Sequence, residues 1–324
     1  MALTEKIMHF ANFNITFGKD EEPMLEHFLD IIYPAFISGY RRGGSEARIR
    51  FYLTGVEIKE FAEEFVLVGN FIKDTQYDVY TTFQNGVLMS ARSSVPTAPY
   101  SRFIIFLKNH RMILVKNESQ SPDIRSFQTM VRNMINHYTM NENRNKNTKD
   151  KLPHALVNIV DIPLLDDIKT ILKDVKKIKS FQLRFFPLNN DISPLPLFTD
   201  VISSMKSVKS KRAQVNFKSP DSKEGVGSLI NQSAGLAATS LEVLNENGNI
   251  TRIREDQFTS TTKVSFGRDI ESEDDGYFIE KAKQESVISI TSSENSRLYE
   301  RFKDRIRRLL SWLLLLRDSS GIDG

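Results

Sequence analysis

Short apolar runs bounded by turn residues dominate this chain, and what separates them changes half-way along. Up to about residue 140 the separators are tight turns. Lys6 to Phe17 reads as a strand, with Phe10, Phe13, Ile15 and Phe17 alternating loosely. Pro23 then opens a helix that carries Met24, Leu25, Phe28, Ile31, Ile32 and Phe36 on one face and ends near Gly39. Arg48 to Ile58 and Phe65 to Ile72 are strands. Tyr77 to Phe83 and Val87 to Ala91 flank Asn85-Gly86, a hairpin turn pair. Phe103 to Leu107 and Met112 to Val115 form a second hairpin around Lys108-Asn-His-Arg111. Ser121-Pro122 starts a helix with Ile124, Phe127, Met130, Val131, Met134 and Ile135, running to about Tyr138.

Beyond a polar stretch at 141–151 the separators become helices. His154 to Ile162, Phe181 to Phe186 and Ala213 to Phe217 read as strands. Leu165 to Ile178, Pro196 to Val208 and Val226 to Ala238 read as helices between them. Ser240 to Leu244 and Ile250 to Arg254 form an edge hairpin through Asn245-Glu-Asn-Gly248, and Thr261 to Phe266 is a last strand. The expected fold class is α+β: a mixed antiparallel N-terminal domain (1–140), a linker (141–151), and an alternating β/α domain with an edge hairpin (152–267). Residues 268–324 follow as an acidic segment, Asp269 to Asp275, and a C-terminal basic amphipathic helix from Arg297 to Leu316.

Composition removes several chemistries. There is no cysteine, so disulfides, thiolate metal sites and cysteine nucleophiles are impossible. The five histidines are scattered, and no cofactor or metal is expected. No phosphate-loop, dinucleotide, zinc-protease or serine-hydrolase spacing occurs, so the chain is more readily a binding protein than an enzyme. The longest apolar run, Leu309 to Leu316, is far below the roughly 20 residues of a membrane span. With no signal-peptide pattern at the start, the expected location is cytoplasmic.

Charge is uneven. Residues 1–100 hold 9 Lys/Arg against 13 Asp/Glu, net −4. Residues 101–218 hold 21 against 10, net +11, and residues 219–324 hold 14 against 18, net −4. A basic middle between acidic ends is the footprint of a polyanion partner, or of solvated lysine-rich faces. Lys108, His110 and Arg111 share one tight turn, suited to phosphate or simply to a hydrophilic hairpin tip. Lys169, Lys173, Lys176 and Lys177 form a helical stripe that could track a duplex backbone. Lys206, Lys209, Lys211 and Arg212 cluster where a helix gives way to a strand. Asp166-Asp167 fits a helix start. Glu57-Ile-Lys59 has the shape of a metal-nuclease motif but lacks an upstream Asp on a paired strand. The terminal helix, with Leu309, Leu310, Trp312 and Leu313, has three readings: docking on its own core, an oligomer or partner interface, or an anionic membrane surface.

Three segments together carry a resemblance: Arg102-Phe-Ile-Ile-Phe-Leu-Lys-Asn-His-Arg-Met-Ile-Leu-Val115, the helix from Ser121, and Phe181-Gln-Leu-Arg-Phe-Phe-Pro-Leu-Asn189 with the helix, strand, helix and hairpin after it. Over roughly residues 45–265 this resembles an uncharacterised bacterial family known only as a domain of unknown function. The element order is similar to that of the phage-exclusion protein RexA and, more loosely, to KwaB of the Kiwa anti-phage system. The resemblance implies a cytoplasmic, non-enzymatic DNA-binding protein of phage defence, a homo-oligomer with a dimer favoured. It carries no residue roles with it. The resulting expectation is phosphate-directed nucleic-acid binding, duplex DNA favoured. A protein-interaction subunit joined to a second defence-system protein and a metal-dependent nuclease are the alternatives.

Overall fold

The computed structural model describes residues 5–44, 47–163, 165–189, 195–254, 257 and 261–320, with the side chains of 165, 261 and 313–320 outside that description. The chain opens with β1 (Glu5–Phe17) and β2 (Glu22–Pro23), then a composite helical segment whose last turns are α1 (Tyr33–Ile37). There follow β3 (Arg41–Arg42), β4 (Arg50–Phe61), β5 (Glu64–Gln84), β6 (Val87–Thr97), β7 (Tyr100–Phe106) and β8 (Arg111–Lys116). Next come α2 (Ile124–Asn143), β9 (Ala155–Asp161), α3 (Leu165–Lys173), β10 (Val175–Phe185), α4 (Pro196–Ser207), β11 (Ala213–Lys218) and α5 (Lys223–Ser233). The rest is β12 (Ala237–Asn245), β13 (Ile250–Arg254), β14 (Thr261–Ser265), α6 (Asp275–Lys283), α7 (Ser286–Ser289) and α8 (Ser293–Ser320).

Among the described residues all strand pairing is antiparallel and the strands form two sheets, giving the α+β class expected. The larger runs β14-β1-β8-β7-β5-β4-β3, with β9 pairing along the second half of β1. Both faces of this sheet are covered. Phe13, Ile15, Phe65, Phe71, Phe103 and Leu114 face a core closed by α1, α2 and α8. Met8, Phe10, Val66, Val68, Ile104 and Ile113 face a second core closed by Phe278, Ile279 and Ala282 of α6 and Ile288 of α7. Alternation along each strand makes this possible, since successive side chains point to opposite faces.

The smaller sheet runs β11-β10-β12-β13. Phe181, Leu183 and Phe185 of β10, with Leu241 and Val243 of β12, pack beneath α3, α4 and α5. Among the described residues no helix covers its other face with an apolar core, and the apolar contact there is small, Val160 of β9 against Phe186 and Ala238. That face carries Ser180, Gln182 and Arg184 of β10, opposite Lys218, Asn216 and Gln214 of β11. Ser240 and Glu242 of β12 continue it, opposite Arg254 and Arg252 of β13.

Buried asparagines of β1 join the two sheets. Asn14 donates to the Pro187 carbonyl (2.7 Å) and accepts from the Asn189 amide (2.8 Å), while Asn189 accepts from the Met24 amide (3.0 Å). Asn12 donates to the carbonyl of Gly235. Gly235 has φ +75°, and a Cβ there would stand 3.0 Å from both Asn12 and Ile162, so glycine suits this joint.

Several boundaries differ from the sequence expectation. β9 and β14 belong to the sheet of the first 140 residues, because their apolar edges complete β1. Strands from beyond the expected linker at 141–151 thus pair with the first strand of the chain. The helix expected over 165–178 ends at Lys173, and Val175 already opens β10. The acidic stretch is not wholly exposed. Asp275 forms a two-pronged pair with Arg102, both N–O distances 2.7 Å and both side chains 2% exposed, and Lys59 adds a third contact at 2.6 Å. α8 docks on the first core through Leu298, Tyr299, Phe302 and Ile306, and the Tyr299 hydroxyl accepts from the Phe65 amide (2.7 Å). Among the described residues, no helix is long and apolar enough to cross a membrane.

A candidate anion-binding cleft

The uncovered face of the small sheet looks onto the polar face of α2. The Asp123 carboxylate caps α2 by accepting from the Ser126 amide (2.8 Å), two residues beyond the expected Ser121. From that start Arg125, Gln128 and Arg132 follow at i, i+3 and i+7, which places them on one face, opposite the buried Phe127, Val131 and Met134. Gln128 donates to the Ile159 carbonyl (2.8 Å) and Arg132 to the Val157 carbonyl (3.1 Å), so this face is clamped along β9.

Two adjoining cavities lie between α2, β9 and the sheet. The larger, about 430 Å³, is lined by Arg125, Arg184, Arg252 and Arg254 together with Gln128, Asp161 and Ser240. The smaller, about 230 Å³, is lined by Arg132, Arg184 and Arg212 together with Gln128 and Asn158. Gln128 and Arg184 are common to both. Six arginines thus face one continuous cleft, and Asp161 is its single acidic lining residue among those described. Among the described residues, Arg132, Arg212, Arg252 and Arg254 make no ion pair. Strand order and register set the arginines on a diagonal: Arg212 just before β11, Arg184 on β10, and Arg254 and Arg252 on the β13 edge, in register with Gln182 and Ser180 of β10. Three strand spacings span about 14 Å. Arg125 to Arg132 span about 10 Å along the helix. Guanidinium forks at this spacing match phosphate oxygens in a polar cleft.

The residues singled out from sequence fall elsewhere, apart from one. His110 is completely buried with a left-handed backbone (φ 56°), and burial, then the charge of Arg111, pushes its pKa down to about 3. Arg111 is 3% exposed and donates to the Ala234 carbonyl (2.8 Å). Lys108 pairs with Glu64 at 2.7 Å. The Lys108–Arg111 turn is thus a buried joint rather than a phosphate loop, because α5, α6 and α7 close over it. Lys169 is exposed beside Asp166 at 3.8 Å, and Lys173 ends α3. Lys176 and Lys177 are exposed on β10, so no helical stripe exists. Lys206 is exposed on α4, Lys209 sits in the turn after it, and Lys211 pairs with Glu21 at 2.9 Å. Arg212 alone reaches the cleft. Lys59 is held by Asp275 and the Ser272 carbonyl, so it supports the fold instead of a metal. Leu309 and Leu310 are half-buried against the first core, Trp312 is exposed, and the side chain of Leu313 lies outside the described residues.

Sequence reasoning missed Arg125, Arg132, Arg184, Arg252 and Arg254 because none belongs to a run of cations and each has at least one apolar neighbour. The signal was their phase. Arg184 alternates with Leu183 and Phe185, and Arg252 and Arg254 alternate about Ile253, so all three point away from the helices. Against known proteins, no family model, curated protein or solved structure matches this chain.

Proposed function

We propose that this protein binds nucleic acid through its phosphates, along the arginine cleft between α2 and the open face of the small sheet. The observation that supports it is the diagonal of Arg212, Arg184, Arg252 and Arg254 facing Arg125 and Arg132 across one polar cleft. A track of about 14 Å is long enough for contacts to more than one phosphate of a strand. The arginines and polar groups dominate the lining, and its two aromatic residues, Phe185 and Phe186, are buried in the protein, which favours backbone contact over base stacking. Similarity of element order to RexA supports a place for this binding in anti-phage defence. Phage plating on cells carrying the wild-type or an arginine-deficient chain tests that assignment: loss of protection with the cleft arginines supports it, and equal plating in all strains removes it.

A fluorescence anisotropy titration with a labelled oligonucleotide over a NaCl series tests binding. The affinity falls steeply with salt, and Arg184→Ala weakens all sequences alike while lowering the salt slope by about one. No binding of duplex or single strand at low salt ends the proposal. The larger cavity also lies within the range of about 300–1,000 Å³ typical of small-ligand sites. A mononucleotide that displaces the oligonucleotide at micromolar concentration would assign the cleft to a free nucleotide instead.

A further inference from the structure

Beyond Asp74, where β4 ends its pairing, and Tyr100, where β7 begins, β5 and β6 continue alone as a two-stranded ribbon. It turns at Asn85 (φ 50°) and Gly86 (φ 82°), both left-handed, as a type I′ hairpin requires. Its ten or so pairs reach about 34 Å. Tyr77, Tyr80, Phe83, Val87, Leu88, Met89 and Val95 are each more than half exposed on it. At roughly 150–250 Å² per aromatic side chain and less per aliphatic one, and at these exposures, they present about 700 Å² over the two faces of the ribbon, of which Tyr77, Phe83, Leu88 and Val95 supply about 400 Å² on one face. A typical monomer's largest apolar patch is about 300–600 Å².

The ribbon carries only two charges over 75–97, Asp78 and Arg92, and Asp78 is already paired with Arg48. Its partner surface is therefore neutral and apolar. Cross-strand register defines one face: Tyr77 opposite Val95, Val79 opposite Ser93, Thr81 opposite Ser90, and Phe83 opposite Leu88. The face reads apolar, then polar, then apolar from base to tip. Such a pattern is complementary to itself when two copies lie antiparallel, with Phe83 and Leu88 of one against Tyr77 and Val95 of the other. A bilayer fits less well, because both ribbon edges carry unpaired backbone N–H and C=O groups and the middle is hydroxyl-rich.

We propose that the β5–β6 ribbon is a dimerisation arm whose Tyr77–Phe83–Leu88–Val95 face packs antiparallel on the same face of a second copy. This is independent of the nucleic-acid reading. Light scattering on the full chain at tens of micromolar tests it. The expected mass is twice 37.2 kDa. Phe83→Glu is expected to give a folded monomer, its fold checked by circular dichroism. Adding Tyr77→Lys in the same chain is expected to restore the dimer, because the introduced charges then face each other across the two-fold axis. A monomeric wild type overturns the proposal, as does a dimer indifferent to Phe83→Glu. Flotation of the wild type with neutral phosphatidylcholine vesicles, abolished by Phe83→Glu, would assign the ribbon to a membrane and likewise overturn it.

Discussion

The two sheets share one construction and use their faces in opposite ways. In the large sheet both faces are buried, and the charged groups on it are locked in place. Arg102 is held by Asp275 on two prongs, with Asn70 accepting a third bond at 3.1 Å. In the small sheet one face meets helices and the other lines a cleft with its arginines. The lesson is that an arginine's role follows from what covers its sheet face, not from how many cations surround it in sequence. Arg102 and Arg184 both lie on central strands in hydrophobic runs, yet the first is buried and the second lines a cleft.

That contrast is open to direct attack, beginning where the effect is largest. Asp275→Leu strands the buried Arg102 guanidinium and is expected to cost about 3–5 kcal/mol in urea denaturation. A change below about 1 kcal/mol would remove the distinction between a locked and a ligand-ready arginine.

The buried histidines give the next effect. His9, through burial and then the charge of Lys116, is held down to about 4, and His110 to about 3. Both are depressed below the unfolded value of about 6.5, so the unfolded chain takes up the extra protons. Their stabilisation is complete above pH 6.5 and is lost as the pH falls toward 4. Each histidine contributes a slope of about 1.4 kcal/mol per pH unit in that window. His110→Asn, which keeps a side chain tolerant of positive φ, is expected to remove one such slope from urea midpoints measured between pH 4.5 and 6.5. An unchanged slope would place that histidine outside the buried joint.

On the cleft side, Arg184→Ala is expected to lose about 1.5–3 kcal/mol of oligonucleotide binding, the worth of a charged hydrogen bond, with less than about 1 kcal/mol of stability. Equal losses in both would make Arg184 a structural residue like Arg102. The smallest effect belongs to Lys169→Gln, Lys173→Gln and Lys176→Gln. Each is expected to stay within about 0.5 kcal/mol in stability, with binding changed less than twofold. A larger drop in binding from these lysines than from Arg184→Ala would return the interface to the helix surface.

Local signals in the sequence were read correctly where a single physical cause governs them. Asn85-Gly86 adopts the left-handed pair its residues favour, and the amphipathic stripes of α2 and α8 find the core their spacing implies. Non-local pairings were not legible. Nothing in residues 155–161 or 261–265 shows that both will lie on β1, because strand addition depends on which edge is vacant. The end of α3 was misplaced because Val175 and Ile178 fit a helical face as well as a strand bulge. The cleft was missed for a related reason. Lysine clusters are conspicuous in sequence, whereas Arg125, Arg184 and Arg254 come from α2, β10 and β13 and meet only through the packing of one sheet on a helix.

The central claim is that phosphate lands on the arginine cleft, and arginine-specific chemical footprinting reads this residue by residue. Phenylglyoxal labelling followed by mass spectrometry, with and without bound oligonucleotide, is expected to show protection of Arg125, Arg184, Arg252 and Arg254. Arg297 and Arg305 on α8 should react equally in both states. Cleft arginines that label alike with and without oligonucleotide, while protection appears elsewhere, would contradict the account.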